Sequence, residues 1–224
     1  MSLLATVATL LGGDDVRLVV EVRDGLSLTL KDIAATVAYD GRGQGASWMA
    51  ELNVGPGASL VWAAEPFIVS DGAEAMRILR ATLADGAGLR LDETVVLGRH
   101  GERGGRVHSH TLVQTAEAPL LVEDVVYQGA GEDQRFIRGG ARSISTRLAF
   151  GTQTLVPAPD ELVMELACGG QLARTMHTRD VRGRTRPSLT VDGIRQADTR
   201  GSEMPVGEQV HTDAAPAYAE GAVG

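Results

Sequence analysis

Cysteine and lysine are nearly absent from this chain of 224 residues: Cys168 and Lys31 each stand alone. A single cysteine excludes an internal disulfide and a thiolate metal cluster within one chain. A single lysine leaves Schiff-base chemistry one candidate, and nothing beside Lys31 recommends it. Aromatic residues are scarce at 4%, while glycine is frequent at 28 residues. With many Val, Leu, Ala and Thr, that balance suits short strands and tight turns better than a helical bundle. An excess of positive charge is missing too, the formal net charge being −8. This argues against a general nucleic-acid binder, whose phosphate contacts need a basic face, and weakly favours cationic or metal partners. No run reaches the ~18 apolar residues of a membrane helix. The opening MSLLATVATLLGGDD is briefly apolar but lacks a basic n-region. A soluble, cytoplasmic protein is expected.

What is present is 43% hydrophobic residues, enough for one good-sized core. They come in short β-leaning runs between turns. Residues 16–23 and 26–30 alternate on either side of Asp24-Gly25, which predicts a hairpin. Residues 33–39, 47–54, 59–63 and 67–69 follow as further strands. Residues 74–84 fit a helix about as well as a strand, since Ala, Met, Leu and Arg favour helix; their place among regular strands favours strand. Residues 89–127 hold three runs, 94–97, 107–113 and 119–127, the first two joined by the Gly- and Arg-rich turn 98–105. Turns recur roughly every 8–15 residues up to Gly131, which predicts a sandwich, a barrel or a stacked solenoid. No strict repeat is visible, so the sequence by itself does not favour a regular solenoid.

Residues 129–133 read as a loop and 143–155 as strand again. Asp160 then makes an N-cap, with acidic Glu161 in the first turn behind it. Leu162, Val163, Leu166, Leu172 and Met176 share an apolar face that Gly169-Gly170 interrupts, predicting one broken or two short helices over 161–176. Residues 188–194 suggest a last strand. The expected organisation is one β domain over 1–195 and a flexible polar tail over 196–224. The expected fold class is mainly β, with stacked or layered strands, solenoid- or sandwich-like, and one or two short helices in the C-terminal third.

Several residues offer chemistry. Arg99, His100, Glu102 and Arg103 put a base, a carboxylate and two cations on one turn. That set suits proton transfer in an enzyme, or equally a polar turn whose arginines hold carboxylates and carbonyls. His108 and His110 are two apart on a strand and share a face, so with His100 they are candidate ligands for nickel or zinc. Ordinary surface histidines fit the same pattern. Glu93 and Glu123 lie on apolar strands, where a buried carboxylate is costly unless paired or in contact with water or a cation. They read either as the wall of a hydrated acidic path or as internal partners for Arg99 or a surface face. Gly12-Gly13-Asp14 lacks the Lys-Ser/Thr of a phosphate loop and reads as a structural turn. Cys168 reads as a small core residue.

The order of segments carries a resemblance. LLGGDDVRLVVEV, IAATVAY, LNVGPGASLVWAAEPFIVSDGAE, LRLDETVVLGRHGE and APLLVEDVVY, followed by GGARSIST, resemble the UreD/UreH family of urease accessory proteins over about residues 8–180. The family pattern is Gly-Gly-Asp before a strand, matched by Gly12-Gly13-Asp14, then a strand ending in an aromatic and a Gly-Ala-Leu-x-Trp-x-x-x-Pro segment, which GASLVWAAEP resembles. Leu-Gly-Arg at Gly98 and Arg99 comes next, with the Gly-Glu of Glu102, and then Pro-Leu-x-x-Glu. The resemblance implies a non-enzymatic scaffold of stacked strands with a couple of helices. It implies binding to UreF, recruitment of the GTPase UreG through UreF, and docking of the assembly, often two-fold, on apo-urease. It also implies that nickel passes in transit through an internal water-filled tunnel, with no tightly bound cofactor and no nucleic-acid or membrane partner. Glu93 and Glu123 align with the family's tunnel carboxylates. The chain departs from the family in having little sequence before Gly-Gly-Asp and no lysine before Tyr39. The competing expectation is a small metal-binding enzyme on a β scaffold, using Arg99, His100 and Glu102.

Overall fold

In the computed structural model, which describes residues 1–3, 10–129, 139–158, 161–178 and 212–213, every regular element is a strand. They are β1 (Ser2–Leu3), β2 (Asp15–Val22), β3 (Ser27–Asp32), β4 (Thr36–Ala38), β5 (Ala46–Val54), β6 (Ser59–Ala63), β7 (Phe67–Val69) and β8 (Glu74–Leu83). After them come β9 (Gly88–Leu97), β10 (Arg106–Gln114), β11 (Pro119–Gln128), β12 (Ser143–Gly151), β13 (Val163–Glu165), β14 (Gly170–His177) and β15 (Thr212–Asp213). One sheet runs β11-β10-β8-β5-β2-β15; the other runs β1-β3-β6-β9-β12-β14-β13, with β4 and β7 joined to it beside β9.

The chain alternates between the two sheets, and each pass stacks in parallel on the one before. β2, β5, β8 and β10 pair in parallel in one sheet, and β3, β6 and β9 in the other. The result is a β-solenoid of about 3 turns. Leu28 pairs with Leu60 and Leu60 with Leu89, an offset of roughly 30 residues, within the range of solenoid repeats. Each turn is cornered at the same place. Gly25 N–H donates to Pro56 O and Gly57 N–H to Asp85 O, both at 2.9 Å, so the corners form a ladder of their own. Gly25, Gly57 and Gly86 all have positive φ, between 62° and 69°, where a side chain would be strained. The parallel turns end in an antiparallel cover: β11 on β10, β12 on β9, and β14 on β12.

Alternation decides which side chains enter the core. In β8, Ala75, Arg77, Leu79, Ala81 and Leu83 are buried while Glu74 and Arg80 are exposed. This resolves the ambiguous segment as strand. The core holds two large clusters and a small third one of Ala149, Leu155 and Ala173. One large cluster holds Leu52, Leu60, Trp62, Leu79, Leu89, Leu91, Leu148 and Phe150. The other large cluster holds Phe67, Val69, Val95, Leu97, Val107, Tyr127 and Ile144.

Two expectations are corrected. Asp24-Gly25 does not close a hairpin: β2 and β3 lie in different sheets, and the turn is the first solenoid corner. The helix expected over 161–176 is the β13–β14 hairpin. Glu161 pairs with Arg147 instead of starting a helix, and Gly169, at φ 85°, makes the turn. Gly169-Gly170 breaks the helical run, and every residue from Gly170 to His177 gains a ladder partner on β12. Asp160, residues 130–133 of the expected loop, the strand expected at 188–194 and nearly all of 196–224 lie outside the described residues. Thr212–Asp213 pairs with Leu18 and Arg17 of β2. Among the described residues no helix is long and apolar enough to cross a membrane.

Candidate functional site

Between the two large apolar clusters the inward positions turn polar. On β9, β12 and β14, register places Glu93, Thr146 and Arg174 side by side. Across from them Arg77 of β8 neighbours Ser109 of β10, and Thr111 of β10 neighbours Glu123 of β11. The next inward residues one way are Leu79, Leu91, Val113 and Leu148; the other way they are Ala75, Val95, Val107 and Ile144. A polar belt therefore crosses the solenoid at one level. Thr146 and Thr111 are buried in it, and so is Arg77.

Both carboxylates in the belt are paired. Glu93 forms a short ion pair with Arg77; their side chains are 12% and 5% exposed. Arg77 lies over the Trp48 ring at 5.2 Å from its centre and reaches Ser109 Oγ at 3.5 Å. Glu123 takes a two-pronged contact from Arg174, Nη1 to Oε1 and Nη2 to Oε2, both at 2.7 Å. Arg174 Nε also donates to Thr146 Oγ1 at 3.2 Å. Burial opposes the Arg174 charge, but the Glu123 hydrogen bonds and the fields of Tyr127, Glu123 and Glu93 raise its pKa overall. Burial pushes the Tyr127 hydroxyl up, and Arg174, Glu123, Glu93 and Arg77 all act on it. The five groups form one electrostatic unit whose two cations and two carboxylates balance.

The sequence pointed to both carboxylates but not to their partners. Arg99, proposed as an internal partner, stays on its own turn; Arg77 and Arg174 take that role. Arg174 was hidden by the helix reading of 161–176, while Arg77 lies in the segment read as strand, where its inward place was not singled out. Read with the period of a strand, Ala75-x-Arg77-x-Leu79 and Leu172-x-Arg174 place an arginine among inward residues.

The turn between β9 and β10 is stapled from several sides. Glu102 accepts from Arg99 N–H at 2.8 Å, from Arg99 Nε at 2.8 Å and from Arg99 Nη2 at 2.6 Å. Asp71 accepts from the N–H groups of Arg103 and Gly104. Arg142 donates to the carbonyls of Leu97, Arg99 and Glu102. Gly98 needs its positive φ of 80°, and a Cβ there would lie 2.7 Å from Gly104 N.

The comparisons with known proteins bear on this arrangement as a whole. The family model described as UreD urease accessory protein matches residues 1–191. Urease accessory protein UreD 1 of Streptomyces griseus is 37% identical over 179 residues, covering 80% of this chain and 70% of that protein. The chain belongs to the UreD family. Urease accessory protein UreD 3 of the same organism is 34% identical, with 74% of each chain covered. UreD of Frankia alni is 34% identical, covering 69% of this chain and 58% of its own length. The chain thus spans 58% to 74% of these relatives. The family is non-catalytic and acts in urease maturation, within the urease accessory complex and in nickel insertion. The enzyme built on Arg99, His100 and Glu102 is therefore set aside, and Arg99 and Glu102 are engaged in holding the turn.

Gly12-Gly13-Asp14 has a structural role in this chain. Asp14 Oδ2 accepts from Leu11 N–H at 2.9 Å, and Gly13 N–H donates to Gly45 O at 2.9 Å. A Cβ on Gly12 would lie 2.6 Å from Gly41 Cα, so the glycine lets two loops touch. His108 and His110 sit on the outer face of β10, opposite the belt. Both hydrogen-bond to Asp124, at 2.6 Å and 3.1 Å. His108 first, then His110, holds the Asp124 carboxyl below the usual range. His100 is exposed on the turn. Among the described residues no group of three or more His, Cys, Asp or Glu is arranged to hold a metal ion. Cys168 is exposed, not a core residue, and its thiol contacts Leu120 O at 2.7 Å.

The stapled turn makes a pH prediction. The Arg99 side-chain hydrogen bond holds Glu102 below its ordinary pKa; burial opposes this, and the Arg99 and Asp71 N–H groups add to it. A folded pKa below the unfolded one stabilises above the ordinary glutamate range, and the gain is lost as pH falls through the lowered value. Glu102→Gln is therefore expected to cost stability at neutral pH, with the difference from wild type shrinking below about pH 4. Urea midpoints measured against pH check this; a difference that persists undiminished into acid counts against it.

Proposed function

We propose that this protein is a maturation scaffold that binds a UreF-like protein and, through it, a UreG-like GTPase, and helps deliver nickel to apo-urease. The ion's route is an internal acidic path on which Glu93 and Glu123 lie. One observation carries this reading: both carboxylates point inward at the level where the apolar core is interrupted. Burying charge there costs more than an apolar side chain would, and a passing cation supplies a reason for it. The arginine pairing supports a structural reading of the same residues, so function must be measured apart from stability.

Co-expression with the UreF- and UreG-like proteins of the same organism, followed by size-exclusion chromatography, tests the scaffold part. Co-elution is expected. Glu93→Gln and Glu123→Gln, which keep the size of the side chains, test the path. Complex formation is expected to survive and most nickel-dependent urease activation to be lost. Full activation by both variants would remove Glu93 and Glu123 from the path.

A further inference from the structure

The two ion pairs of the belt are held differently. Arg77 is fixed by Glu93, the Trp48 face and Ser109, and its side chain is 5% exposed. Arg174 has Thr146 Oγ1 and Glu123 as its contacts, and the pair is more open, with side chains 19% and 26% exposed. Arg174 also sits on β14, in the late antiparallel cover, not among the parallel turns. A guanidinium on a flexible stem, two-pronged on a half-open carboxylate, can swing away; one clamped between an indole and a carboxylate cannot.

We infer that Arg174 is an internal counter-ion that a divalent cation must displace from Glu123, and that this competition keeps Glu123 from trapping the ion. The inference rests on the path reading above and adds a residue to it. A path must hold its cargo weakly enough to release it, and two bare carboxylates in a half-buried belt would attract a divalent ion strongly. With Arg174 in place the belt is neutral before the ion arrives. When the ion reaches Glu123, the arginine gives up its two hydrogen bonds; when the ion leaves, the arginine closes on the carboxylate again. Arg174 is a positioning residue for ion transfer. Arg77 keeps Glu93 in place throughout.

The test is Ni²⁺ binding to the full chain, by isothermal titration or equilibrium dialysis. Wild type is expected to hold the ion weakly. Arg174→Gln frees Glu123 and is expected to bind one Ni²⁺ at least about tenfold more tightly. The double variant R174Q/E123Q is expected to lose that gain, and Arg80→Gln, on the outer face of β8, to show none. Arg174→Lys keeps the charge but not the two-pronged contact, so an intermediate gain is expected; it carries the test should R174Q not fold. Binding no tighter than wild type in a folded R174 variant would overturn the inference, as would a gain that survives Glu123→Gln. The same preparations, assayed for urease activation, separate the two levels. If E123Q abolishes activation but no R174 variant gains a site, the counter-ion role fails and the path stands. If E123Q activates fully, the path fails and takes the inference with it.

Discussion

Replacing Glu93 by alanine is expected to destabilise the protein by about 3–5 kcal/mol, because it leaves the Arg77 guanidinium buried without a counter-charge. Arg77 would keep Ser109 Oγ at 3.5 Å and the Trp48 face at 5.2 Å, and neither neutralises it. Urea unfolding should show a lower midpoint at an unchanged slope, as expected when stability alone changes. The reverse change, replacing both partners with apolar residues of similar volume, should behave differently. R77M/E93L removes the desolvation cost along with the attraction, so its stability should return close to that of wild type or exceed it. If Glu93 lies on the ion's path, that stable double variant should still activate urease poorly. A stable and fully active R77M/E93L would mean that the pair serves the fold alone. A Glu93→Ala loss below about 1 kcal/mol would mean that Arg77 is far better solvated than its 5% exposure implies.

Trp62→Ala is expected to cost about 3–5 kcal/mol, the usual range for removing a large buried aromatic. Trp62 is 2% exposed and stands in β6 between Leu30 of β3 and Leu91 of β9, so one side chain ties three turns of the solenoid together. Its ring meets Trp48 at 6.1 Å between centres, and its Nε1 donates to Asp32 Oδ1 at 3.0 Å. The cavity would open in a core with few large rings to refill it. Trp62→Phe should cost less than the alanine change, since a ring still fills most of the space while the indole hydrogen bond is lost. With Trp62 removed, Trp48 is the only tryptophan, so its fluorescence reports unfolding directly. Equal losses for the phenylalanine and alanine variants would place the effect in the hydrogen bond and not in packing.

The repeat was present in the sequence in a form that strict matching misses. Val22-x-x-Gly25-x-Ser27-Leu28, Val54-x-x-Gly57-x-Ser59-Leu60 and Leu83-x-x-Gly86-x-Gly88-Leu89 are the three stacked corners. Only the positive-φ glycine and the flanking inward residues are constrained, so the other positions vary freely and the similarity is thin. The same freedom made Asp24-Gly25 look like a hairpin turn: one dipeptide serves a two-residue reversal and a solenoid corner, and the choice depends on which strand lies beside it.

By itself the sequence determined the strand-rich class, the limits of most strands, the exclusion of a disulfide within this chain, and the family through its segment order. It singled out Glu93 and Glu123, because a carboxylate inside an apolar run is visible without coordinates. Tertiary structure alone decided that the strands stack in parallel about one axis, that residues 163–177 form a hairpin, and that Arg77 and Arg174 are the carboxylates' partners. Those outcomes depend on contacts between residues far apart in the chain, such as Glu123 with Arg174. Local propensity is worth a few tenths of a kcal/mol per residue, whereas a buried charge left unpaired costs several. The long-range term is larger, and it is absent from any short window of sequence.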